Sequence, residues 1–115
     1  MDIWHLADEE LDPHHPRILR TDPGANRVIA LALPAGDVLQ DHEVRERALV
    51  FLVSGEAVVR SDGSETELKA PALMHFEPSE RHEVEARTDV RLTLCLAPWS
   101  EGYHDRHPQD QSAYS

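Results

Sequence analysis

Two histidines stand in similar settings, His42 in QDHEVRE and His82 in PSERHEVEA. Each follows a turn-forming stretch and a few polar residues. Imidazole is a common ligand of divalent transition metals. Two of them meeting in the mouth of a β-roll would bind such a metal if one or two more ligands joined. Glu43, Glu46, His75 and Glu80 are of the right type, and no spacing selects among them. The same two imidazoles suit a polar pocket lining, or simply the surface. His75 lies in ALMHFEP with Leu73 on one strand parity and Met74 and Phe76 on the other. If Met74 and Phe76 face the core, His75 faces outward or into an interface; the reverse parity brings it beside His82. His14 and His15 in the proline-rich leader and His104 and His107 in the tail read as surface residues. Cys95 sits mid-strand in LTLCLA with no adjacent base, as a buried cysteine that acts as a small hydrophobe does. Arg60 and Arg91 lie on strands and suit surface display or a carboxylate ligand. No serine-centred elbow and no phosphate-cradling glycine loop occurs.

These side chains need a scaffold, and the spacing of apolar residues predicts strands. RVIALAL, ALVFLVSG, EAVVRSDGSETEL, PALMHFEP, RHEVEA and DVRLTLCLAPW are short segments separated by turn residues. In RHEVEA, His82, Val84 and Ala86 share a face. In DVRLTLCLAPW, Val90, Leu92, Leu94 and Leu96 oppose Arg91, Thr93, Cys95 and Ala97. Ser61-Asp62-Gly63-Ser64 makes a hairpin turn. No helical period is sustained. An all-β sandwich or barrel follows, closed so as to bury its edges. ALVFLV is apolar on both alternating faces, which predicts cover from a second sheet and from a partner chain. Residues 1–26 read as an extension of short extended pieces, with Trp4, Ile18 and Leu19 as its anchors. Residues 27–98 read as the barrel core, and residues 99–115 as a polar tail.

The chain of 115 residues carries 11 basic and 22 acidic side chains, for a net charge of −11. That field disfavours nucleic acid and anionic membranes but permits a cation or a neutral organic ligand. No apolar run spans a membrane, and the acidic start does not resemble a signal peptide. A single cysteine cannot form an internal disulfide, so a reducing cytoplasm is expected.

The frame Gly36-x5-His42-x-Val44-x3-Ala48-x6-Gly55 resembles the first motif of the cupin family, G-x5-H-x-H-x3/4-E-x6-G. Both glycines and the first histidine are in register, while Val44 and Ala48 stand at the second histidine and the glutamate. PALMHFEPSERHEVEA resembles the second motif, with Pro78 and His82 matching around a loop one residue shorter. Glu80 stands near its second glycine, and Ala86 ends it without asparagine. The resemblance covers roughly residues 27–98. It implies a double-stranded β-helix, or jelly roll, with an internal pocket, and it fits a homodimer. Many cupins bind iron, manganese, nickel or zinc through three histidines and one glutamate; of that set only His42 and His82 carry over. The pocket expected here is lined by His42, Val44, Ala48 and His82. The expected function is small-molecule binding, with no cofactor or with a divalent transition metal. One alternative is a metal-dependent dioxygenase or isomerase using His42, His82 and a carboxylate, Glu46 or Glu43. Another is a metal-free enzyme in which a histidine moves the proton.

Overall fold

The computed structural model describes residues 1–13, 15–42 and 45–98, with the backbone alone at Asp41 and His42. Nine strands follow one another: β1 (Arg17–Asp22), β2 (Asn26–Leu33), β3 (Val38–His42), β4 (Arg47–Ser54), β5 (Glu56–Ser61), β6 (Ser64–Lys69), β7 (Ala72–Phe76), β8 (His82–Ala86) and β9 (Val90–Ala97). They form a five-stranded sheet, ordered β1-β2-β9-β4-β7, and a four-stranded sheet, ordered β3-β8-β5-β6. All named pairings are antiparallel. The described residues include no helix long and apolar enough to cross a membrane.

Alternation builds the core. Ile29, Leu31 and Leu33 of β2, Ala48, Val50 and Leu52 of β4, and the even-numbered residues of β9 turn inward from one sheet. Leu39, Ala57, Val84 and Ala86 meet them from the other. Burying a side chain of Val, Leu or Ile size contributes about 1.5–3 kcal/mol, so this shared layer holds the two sheets together. The β5–β6 turn has positive φ at both Asp62 (51°) and Gly63 (77°), the twist a two-residue hairpin favours.

Two sequence expectations change. The polar run before β4 contains a full strand, β3, whose inward anchor is Leu39. Leu19 is partly buried, but Ile18 is 43% exposed and anchors nothing. It lies on the sheet's edge strand, where the β1–β2 register shifts between Ile18 and Arg20. The outward side chains of β4 are not covered within the chain: Leu49 and Phe51 are 40% and 41% exposed.

Candidate functional site

His82 opens β8 and shares its inward face with Val84 and Ala86, and all three are buried. Its Nδ1 lies 3.2 Å from the backbone oxygen of Glu80. A carbonyl only accepts, so Nδ1 carries a proton in this contact. The ring also stacks on Phe76, with centroids 4.0 Å apart and planes inclined by 9°. The imidazole is therefore held by one edge and one face.

The turn before it explains that position. Glu80 N–H donates to the Glu77 carbonyl at 3.0 Å, and Ser79 takes φ 65° after Pro78. This is a type II arrangement, whose third residue is ordinarily glycine. The Glu80 carboxylate accepts from Glu77 N at 3.0 Å and from Ser61 Oγ at 2.6 Å. Those donors hold its pKa below the usual carboxylate value, with smaller contributions from His82 and His75. Glu80 thus braces the turn that delivers His82.

Backbone register sets His42 opposite His82 across β3 and β8, after an irregularity between Leu39 and His42. Glu43 and Val44 lie outside the described residues. Glu46 precedes β4 and is 1% exposed; Ala48, on the same parity, is fully buried between Phe76 of β7 and Leu96 of β9. Residues 46, 48 and 50 turn inward while 45, 47 and 49 turn out. A carboxylate thus enters the interior two residues ahead of the glutamate position of the motif. Among the described buried residues, Glu46 and His82 alone have polar side chains. In the sequence Glu46 was one of two carboxylates, with Glu43, offered as a substitute ligand. Phe76 was read only as a core residue, although Phe76 and His82 flank a proline-bounded turn.

The remaining candidates lie elsewhere. His75 is exposed, on the parity opposite the buried Met74 and Phe76. Arg60 pairs with Glu65, Glu83 and Glu85. Arg91 donates to backbone oxygens of the leader. Cys95 is partly buried, and burial pushes its thiol pKa up, away from thiolate chemistry. His15 is exposed beside Asp12. His14, His104 and His107 lie outside the described residues. An open cleft of about 570 Å³ beside β5 and β6, lined by Glu56, Glu67, Leu68, Lys69 and Arg87 among others, does not include His82 or Glu46.

Among the described residues, no three His, Cys, Asp or Glu side chains gather as a metal site would require. Glu46 and His82 are two donors, and Ala48 supplies none. The described residues therefore do not make up a three-histidine, one-glutamate centre.

No family model matches the sequence, and no curated protein matches it. Solved structures do. An RmlC-like cupin from Desulfovibrio desulfuricans superposes with a TM-score of 0.74 at 18% identity, covering 85% of this chain and 97% of that one. A Cupin 2 conserved barrel domain protein from Salinispora arenicola does so at 0.66 and 19%, covering 95% of each. The DMSP lyase DddQ of Ruegeria pomeroyi matches at 0.59 and 15%, over 64% of this chain and 38% of its own. The fold is that of the cupins, a jelly-roll sandwich with nine strands among the described residues. That fold carries enzymes and other proteins alike, so function must be argued from the site.

Proposed function

We propose that this chain binds a small organic molecule inside the barrel, beside His82 and Glu46, without the three-histidine, one-glutamate metal centre. One observation carries this reading: among the described residues, two polar side chains are buried in an otherwise apolar interior. Burying a polar group costs about 1–3 kcal/mol when its hydrogen bonds are imperfectly replaced, and an all-apolar filling avoids that cost. His82 is held at Nδ1 by the Glu80 carbonyl and turns inward with Val84 and Ala86, a polar ring among apolar neighbours. Phe76 offers a flat apolar wall at its side.

A second reading, a metal-dependent dioxygenase or isomerase using His42, His82 and Glu46, draws support from one detail. Donation of Nδ1–H to a backbone carbonyl is how metal-ligating imidazoles are commonly oriented. One experiment separates the two. Protein purified without a metal-affinity tag is examined by elemental analysis and native mass spectrometry, beside His42→Ala and His82→Ala, with circular dichroism to confirm folding. Binding predicts a bound organic mass that His82→Ala loses, and no stoichiometric metal. A stoichiometric metal lost in both variants overturns it in favour of the second reading.

A further inference from the structure

Ser61 does more than open a hairpin turn. It closes β5, and backbone register sets it opposite Ser64 of β6 on one side and opposite His82 of β8 on the other. Its hydroxyl turns toward the segment that leads into β8. Oγ lies 2.6 Å from the Glu80 carboxylate and 2.9 Å from the Arg81 backbone oxygen. A hydroxyl has one proton to donate, and the charged, closer carboxylate is the stronger acceptor. The other carboxylate oxygen of Glu80 accepts from Glu77 N at 3.0 Å, and the Glu80 backbone oxygen takes Nδ1–H of His82 at 3.2 Å. Glu80 thus joins a strand end, a turn and a ring.

The turn gains from an outside hold. Glu77, Pro78 and Ser79 are exposed, and Ser79 takes a left-handed φ of 65°, which costs a residue with a Cβ free energy. Glu80 is tied to Glu77 within the turn by backbone and by side chain. Ser61 ties it to the four-stranded sheet. A Glu80 carbonyl that drifts draws Nδ1 with it, and the ring then slides on Phe76, whose centroid is 4.0 Å away.

We propose that Ser61 is a positioning residue for His82. Through the Glu80 side chain it fixes the carbonyl that holds Nδ1, and so fixes the plane in which the imidazole is offered to the interior. This deepens the ligand reading and rests on it for what the ring is used for; the placement of the ring belongs to the unliganded chain.

Imidazole resonances of the full chain in 1H–15N spectra at neutral pH, assigned with His82→Ala, test this. The parent should show a slowly exchanging Nδ1–H for His82 and ring protons shielded by the face of Phe76. Ser61→Ala, folded by circular dichroism, should lose both, and Ser61→Thr, which restores a hydroxyl, should recover both. Ser64→Ala removes a hydroxyl from the other end of the same turn and should change neither. A merely structural Ser61 would lower the melting temperature in Ser61→Ala and leave the ring signals in place; that result overturns the proposal. So does an equal loss in Ser64→Ala. Native mass spectrometry keeps the two readings apart. Where the parent carries an organic mass, Ser61→Ala should lose it, and its retention overturns the positioning role. A parent with no such mass fails the ligand reading, while the ring spectra still decide this one.

Discussion

The motif glycines Gly36 and Gly55 offer a paired test of how tightly the sandwich is cornered. Both have positive φ, 89° and 90°. A Cβ built on Gly36 meets nothing within 4 Å, whereas one on Gly55 falls 2.3 Å from the Asp89 backbone oxygen, 2.8 Å from Val90 Cγ1 and 2.9 Å from Thr88 Oγ1. The backbone oxygen cannot swing aside, because its segment is fixed to the β4–β5 corner. Arg87 N donates to Glu56 O at 2.9 Å, and Glu56 N donates to Thr88 Oγ1 at 3.0 Å. A left-handed conformation costs a residue with a Cβ about 1–2 kcal/mol. Alanine recovers about 0.5–1 kcal/mol by restricting the unfolded chain, so Gly36→Ala should lose about 1 kcal/mol. Gly55→Ala suffers the same strain plus overpacking of about 1–3 kcal/mol, and should lose about 3 kcal/mol. A chain of this length has a total stability on the order of 10 kcal/mol, so the difference is easily read. Urea unfolding followed by tryptophan fluorescence measures both midpoints. Equal losses in the two variants, or a Gly55→Ala loss under about 1 kcal/mol, would refute the contact argument.

The turn before His82 supports two further predictions. Ser79 stands where a type II turn favours glycine, so Ser79→Gly should stabilise the protein by about 0.5–1 kcal/mol in thermal melts; a loss would show that the serine is needed there. Glu80 has a lowered pKa in the folded state. Its stabilising effect is therefore full above the ordinary carboxylate pKa, about 4.3, and fades as pH falls through the lower folded value. Unfolding measured from neutral to acidic pH should show a shallower acid loss in Glu80→Gln than in the parent, and identical slopes would count against the bracing role.

The sequence displayed most clearly those strands whose two faces differ. Val90, Leu92, Leu94 and Leu96 announce β9, and His82, Val84 and Ala86 announce the inward face of β8, because each alternates with side chains that can meet water or a neighbour. Polar edge strands were harder to see. β1 carries Arg17, Arg20 and Asp22, and β3 has only Leu39 as a described buried residue, so neither shows an apolar rhythm. Their order comes from pairing with β2 and β8, a long-range fact that local residues do not encode.

At the site, His82 was legible from its motif and its parity. Glu46 was named only together with Glu43, because its inward direction depends on where β4 begins, and a one-residue slip would have turned it to solvent. The contact of Phe76 with His82 was hidden for another reason. The two residues belong to different sheets, and only the crossing at Glu77–Glu80 brings the rings together.

β7 is only five residues long, and its alternation sends Phe76 inward onto the imidazole while Leu73 points outward. The same five residues therefore answer to two surroundings: a change at position 74 or 76 is felt by the packed interior and the imidazole, and a change at 73 or 75 is met first by water.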